Sequence, residues 1–202
     1  GIGLVAGEVA DPLEYRLWVQ DYYRKLKARI NEKILAALRI EPTISIADGT
    51  NVKVAIVEIG ERIRTVRYEE RERWRVFFGK AGFAVEPVFL PAFVVGGTIT
   101  SDIIRMAAAR VGAGAVLAYT TTTETEVGYL GESAAVLAFA KCMFIDTRTE
   151  YLYFNAEGEG KDRKITLPGM LDVTGLERKV VTTAVESLRS EILHELERLR
   201  GK

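Results

Sequence analysis

The chain has 202 residues, enough for one substantial core with helices to spare, and its ordinary shares of apolar (48%) and charged (28%) residues exclude a largely disordered protein. Basic and acidic residues balance at 28 each, so the basic excess that a nucleic-acid binder sets against phosphates is absent. One cysteine rules out an intrachain disulfide, and no apolar run reaches the ~20 residues that span a bilayer.

Residues 1–10 are small and apolar and read as frayed or extended; the abrupt Gly1-Ile2-Gly3 fits a mature or trimmed start. Asp11-Pro12 supplies an N-cap and a first-turn proline. A helix is predicted from there over about 12–39, with Leu13, Leu17, Leu26, Ile30, Ile34 and Leu38 on one face. Trp18 and Tyr22 extend that face and are candidate partner contacts. The basic residues opposite read as the solvated side of a docking helix. Glu41-Pro42 breaks the helix, and a linker follows with a turn at Asp48-Gly49.

Val52–Ile59 reads as a strand, 64–79 as a helix burying Trp74, Phe77 and Phe78, and Phe83–Phe89 as a short or edge strand between prolines. Within that helix Glu69 and Arg73 are spaced to pair. Residues 92–100 read as a loop around Gly96-Gly97. Thr100-Ser101-Asp102 caps a helix over about 103–111, and Gly112 and Gly114 precede a strand over 115–122. Beyond it lie a polar β-favouring stretch to Thr125, a turn at 128–131 carrying Tyr129, and a long strand over 134–145. A tight turn at 146–150 leads to a paired strand over 151–157. After Pro168-Gly169 an amphipathic helix is predicted over about 174–199.

Helix-separated strands imply parallel pairing and hairpins antiparallel pairing. The predicted fold is therefore α/β: a single mixed β-sheet, β-α-β-α-β-β-β, flanked by helices, with an N-terminal helix and a long C-terminal helix. Residues 1–51 are read as an N-terminal extension and 52–202 as the α/β domain.

No catalytic constellation emerges, so the chain is not read as an enzyme. His194 is the lone histidine and sits on a helix away from its apolar turn. Cys142 alternates with Val136, Ala138, Ala140 and Phe144 and reads as a small buried hydrophobe. No metal site is expected, because Cys–His zinc ligands and EF-hand spacing are missing. No cofactor is expected either: Gly112-Ala113-Gly114 follows a helix, the reverse of a phosphate loop, and at Gly96-Gly97 Asp102 opposes an anion. Glu124 with Glu126, and Glu157 with Glu159, read as solvated edge carboxylates. Lys141 shares a strand face with Leu137, Phe139, Met143 and Ile145; either its stem covers that face or the face meets a partner. With Trp18, Tyr22 and Tyr129 it completes the candidate partner-binding set.

Three segments carry a family resemblance: Val54–Val57, the run AARVGAGAVLAY from Ala108 to Tyr119, and FIDTRTEYLYF from Phe144 to Phe154. Over about 52–200 they resemble the periplasmic domain of the curli-secretion lipoprotein and the N-terminal domain of the Tol translocation protein. The closing YLYFNAEGEG and the last helix are similar to the rhombotail lipoproteins. Gly114 stands where the family commonly has Asp, and Thr149 replaces a Gly of the hairpin motif. The resemblance implies a non-catalytic, periplasm-facing assembly or partner-binding module of the bacterial cell envelope. It also implies an outer-membrane association made only through an N-terminal lipid anchor missing from this sequence. Its partners would be envelope proteins engaged by sheet edges, by loops 92–102 and 122–133 or by the first helix, and further copies of the chain in a homo-oligomer. No pore is expected, since 115–145 offers little apolar alternation near its tip. The alternative is a cytoplasmic domain binding a small ligand or nucleotide at the C-terminal ends of its parallel strands.

Overall fold

The computed structural model describes residues 3–5, 16–22, 40–46, 51–60, 63–90 and 98–201. The Asp11-Pro12 helix start, positions 23–39 of the expected first helix, the Asp48-Gly49 turn and the Gly96-Gly97 loop lie outside the described residues.

The elements run β1 (Gly3–Val5), β2 (Val52–Ile59), β3 (Ile63–Arg64), α1 (Tyr68–Lys80), β4 (Val85–Phe89), β5 (Thr98–Thr100), α2 (Ser101–Arg110), β6 (Ala115–Val127), β7 (Ser133–Asp146), β8 (Leu152–Ile165) and α3 (Val173–Arg200). Residues 16–22 are also helical. Six strands form one mixed sheet in the order β3-β2-β6-β7-β8, with β4 also pairing β2. β2 runs parallel to both β4 and β6, while β6, β7 and β8 form an antiparallel meander. The single mixed sheet flanked by helices is thus the one expected. β4, carrying Pro87, lies at an edge, where a missing N–H costs little.

Four boundaries differ from the sequence reading. Residues 63–64 are a short strand and α1 begins only at Tyr68. Residues 98–100 form a strand that pairs with β1, not a loop. β6 continues to Val127, because its β-branched threonines suit an extended chain that needs no burial. β8 continues to Ile165 rather than ending near 157, and its glycines explain both the strand and the misreading. A Cβ on Gly158 would sit 2.2 Å from the Leu188 backbone nitrogen, and one on Gly160 would sit 2.4 Å from the Val180 carbonyl oxygen. Residues that look like turn formers are bare strand positions on which the α3 backbone lies directly.

Cores form on both faces of the sheet. On one face α1 and α3 cover Val54, Ile56, Leu117, Tyr119, Ala138, Cys142 and Phe144. Trp74 and Phe78 enter from α1; Val180, Ala184, Leu188, Ile192 and Leu196 enter from α3. On the other face α2 and residues 16–22 cover Ala55, Val57, Val116, Ala118, Met143 and Ile145. β2 is therefore buried on both sides, as a central parallel strand is. Arg73 on α1 pairs with Glu70 at 2.5 Å, not with Glu69 as its spacing suggested.

The tight turn after β7 is clamped by buried polar contacts. Asp146 Oδ2 accepts from Thr43 N (2.6 Å), Thr43 Oγ1 (2.7 Å) and Tyr153 Oη (2.8 Å). Its Oδ1 accepts from the backbone N–H groups of Arg148 (2.8 Å) and Thr149 (3.1 Å). Burial acts to raise this carboxyl pKa, but the bonds from Thr43, Tyr153 and Thr149 outweigh it and hold Asp146 below the usual carboxylate range. From α2, Arg105 donates to the carbonyls of Thr147 and Arg148. The left-handed residue in this turn is Glu150 (φ 67°), not Thr149, and Ser101 donates to its carboxylate.

Candidate functional site

A broad cleft lies at the carboxyl ends of the parallel strands β2 and β6. Its volume is about 1130 Å³. β2 supplies Glu58, the segment leading into α1 supplies Arg64 and Arg67, and α3 supplies Glu177 and Arg178. Residues 121–124 of β6 form the remaining wall, and Arg16 reaches it from the N-terminal helical segment.

The geometry of β6 explains why the cleft is there. Pairing with β2 stops at Glu58↔Tyr119, yet β6 runs on to Val127. Its far half pairs with β7 on one side and, among the described residues, with no strand on the other. Thr121 and Thr123 project to one sheet face, Thr122 and Glu124 to the opposite face, and all four line the same cleft. A cleft lined from both faces wraps the strand edge, so unpaired backbone of β6 is presented inside it. Among the described residues the buried Thr122 hydroxyl has no hydrogen-bond partner.

Charges in and beneath the cleft fall into two groups. Behind the cleft wall, and not lining it, Arg189, 2% exposed, bonds to the lining residue Glu70 (3.2 Å) and to Glu186 (2.6 Å) and stands 4.8 Å over the Trp74 ring, its Nε unpartnered among the described residues. Glu58 is desolvated, which raises its carboxyl pKa; Arg64 and a hydrogen bond from Tyr119 oppose that shift. Desolvation and the Glu58 charge in turn push the Tyr119 hydroxyl upward. Arg67 and Arg178 line the cleft with no salt bridge among the described residues. Both signs and an open backbone edge make a surface for a polar, extended ligand.

The sequence-chosen residues fall elsewhere. Trp18 (3% exposed) and Tyr22 (5%) are core residues, so their rings are not offered to a partner. Their segment covers the apolar second face of β2 and β6, which must be shielded from water. Burial raises the Tyr22 hydroxyl pKa, with Glu150 adding to it. Lys141 bonds across strands to Glu157 at 3.4 Å and is mostly covered. It lies on the same face as Leu137 and Phe139, which are half-buried and outside both cores. Tyr129 alone is fully exposed. Cys142 is buried, which pushes its thiol pKa up and keeps it protonated. His194 is exposed on α3, and among the described residues no cluster of three His, Cys, Asp or Glu is placed to hold a metal ion. The cleft arginines were not singled out in the sequence; the one signal for the site was the threonine run beginning at Thr120, a strand too polar to be core.

No family model matches the chain, and neither does any curated protein. Among solved structures it is similar to lipoprotein GNA1162 from Neisseria meningitidis, at 18% identity over 69% of this chain and 99% of that one, with a TM-score of 0.40. It is also similar to a minor lipoprotein from Acinetobacter baumannii (8% identity, 75% and 94% covered, TM-score 0.42). A third similar structure is the LpoB C-terminal domain from Salmonella enterica (12% identity, 63% and 90% covered, TM-score 0.32).

Proposed function

We propose that this chain is a non-catalytic partner-binding module of the bacterial cell envelope, and that it takes an extended segment of a protein partner along the free edge of β6. The observation that carries the proposal is the cleft wrapped around residues 121–124, where unpaired strand backbone meets Arg67, Arg178 and Glu124. Main-chain hydrogen bonds to such an edge supply affinity in strand addition, and flanking side chains supply selectivity. The envelope location rests on the lipoprotein resemblance of residues 52–200.

The test is to select peptides from a random display library on the full chain and map them by amide hydrogen exchange. Selected peptides are expected to protect the amides of 120–127 and to lose affinity in Arg67→Glu with Arg178→Glu. Selection of no peptide, or protection confined to another surface, would overturn the reading.

One observation favours a second reading: the cleft lies at the carboxyl ends of two parallel strands, the usual place for a small ligand in an open α/β sheet. A nucleotide or small anion that raises the melting temperature and protects the amides of Arg67 and Glu69 would support this alternative over strand addition.

A further inference from the structure

β8 closes one side of the sheet, and among the described residues no strand pairs with its outer edge. The backbone of α3 rests on Gly158 and Gly160, so these glycines lie on the α3 face of the strand. Alternation puts Asp162 and Lys164 on that face too, and Glu157, Glu159, Lys161 and Arg163 on the opposite one. All four of the latter are exposed. Their order matters: on this face the strand is acidic before Gly160 and basic after it. Glu157 meets Lys141 at 3.4 Å, yet its side chain remains 71% exposed. Glu159, Lys161 and Arg163 make no salt bridge among the described residues.

Such a strand complements itself when it is reversed. An antiparallel copy centred on Gly160 sets Glu159 opposite Lys161 and Glu157 opposite Arg163, and the two-fold axis repeats each pair. Sliding the copy by two residues, which keeps the faces matched, sets Glu159 opposite Glu159 or Lys161 opposite Lys161. A parallel copy in register sets like charge against like throughout. In the centred register the α3 face brings Asp162 opposite Gly158 and Lys164 opposite Ala156, so no like charges stand directly opposed. The like pairs at 159 and 161 are diagonal and farther apart. α3 leaves room for the second copy. Val181 and Val185 line the cleft on one flank of the helix; on the other, Thr183 beside Gly160 is exposed, with Ser187 and Ser190 following at helical spacing. Small side chains on that flank let two copies of the helix approach.

We infer that β8 pairs antiparallel with β8 of a second copy of this chain, forming a two-fold dimer with one sheet running through both copies. The free edge supplies main-chain hydrogen bonds, and the cross-strand ion pairs fix direction and register. Charged side chains on an edge ordinarily keep strands apart. Here their order disfavours the parallel and slipped pairings and leaves the centred one favoured. The interface is one strand wide, so the dimer forms in a concentration-dependent equilibrium. The cleft edge of β6 lies on the other side of β7 and stays free in the dimer, so the inference does not depend on what the cleft binds.

The test is sedimentation of the full chain over a range of concentrations. The wild-type chain is expected to show a monomer–dimer equilibrium that shifts toward monomer at high salt. Glu157→Lys with Glu159→Lys makes the face wholly basic, and Lys161→Glu with Arg163→Glu makes it wholly acidic. Each variant alone is expected to dimerise at least about tenfold more weakly than wild type. Mixed in equal amounts, the two variants regain an opposite charge at every pair and should form a heterodimer as tight as the wild-type dimer. That recovery also shows that both variants fold. Amide exchange in the dimer should slow along 156–164. A wild-type chain that stays monomeric at every concentration overturns the inference, as does a mixture no tighter than either variant alone. A dimer that survives both charge reversals overturns it too, since another surface of the chain would then join the copies.

Discussion

The two halves of the sheet are built to different rules. Near β2 both faces are covered, by α1 and α3 on one side and by α2 and residues 16–22 on the other. Along the far half of β6, β7 and β8 only α3 is seated among the described residues, and the opposite face leaves Leu137 and Phe139 half-exposed among charged neighbours. The covered half holds the polar clamp of Asp146 and the largest buried rings. The half-covered half holds the open strand edge of β6, the cleft wall and the charged edge of β8. Contacts that stabilise the chain and surfaces that can meet a partner are thus separated along the strands, so substitutions in one half should be readable without disturbing the other.

The largest expected effect tests the single cover of the far half. Gly158→Val places a branched side chain where the α3 backbone lies, and is expected to cost about 3 kcal/mol in urea unfolding. Unchanged stability would mean that α3 is not seated on β8. Next comes a pair on one strand and one face. Ile145→Ala, in the covered half, should cost about 3 kcal/mol, and Leu137→Ala, in the open half, about 1 kcal/mol or less. Equal costs would show that the far face is covered in solution.

Asp146→Asn gives a smaller effect with a pH signature. A carboxyl whose folded pKa is depressed adds stability above its unfolded value, near 4, and loses it as pH falls through the folded value. The wild-type chain should therefore lose about 2 kcal/mol on acidification below about pH 4 that Asp146→Asn has already lost at neutral pH. Parallel acid-unfolding curves would break the assignment. The smallest effect is a gain: Gly79 is exposed within α1, a Cβ there meets nothing within 4 Å, and Gly79→Ala should add about 0.5–1 kcal/mol. Its contrast with Gly158 separates a glycine that a helix merely tolerates from one on which a helix rests.

Much of the frame was legible because it follows from local rules. β-Branched runs gave β2 and the start of β6, Thr100 gave the α2 cap, and the spacing from Leu176 to Leu196 gave α3. Prolines placed β4 at an edge. Legibility failed where a residue's meaning depends on what lies above it. Gly158 and Gly160 read as loop because the sequence does not show the helix that covers them. Trp18 and Tyr22 read as an offered face because helical spacing marks an apolar stripe without saying what it packs on.

The site was less legible still. Residues 120–125 could be read as an extended polar stretch, but its edge, unpaired among the described residues, arises because β2 stops opposite Tyr119. Arg16, Arg67 and Arg178 are far apart in the chain and converge by folding. The charge order of β8 escaped because Gly158 and Gly160 read as loop, which parted Glu157 and Glu159 from Lys161 and Arg163. By itself the sequence determined the five principal strands and the helices between and after them, their parallel or antiparallel sense and a single mixed sheet, but not the short strands β1, β3 and β5, since hydrophobic period, caps and connection lengths are local properties. The tertiary structure alone decided which glycines are contact points, which aromatic rings are core, and where the edges of β6 and β8 stay open among the described residues. Those depend on strand lengths matching or failing to match across the sheet, which no local pattern encodes.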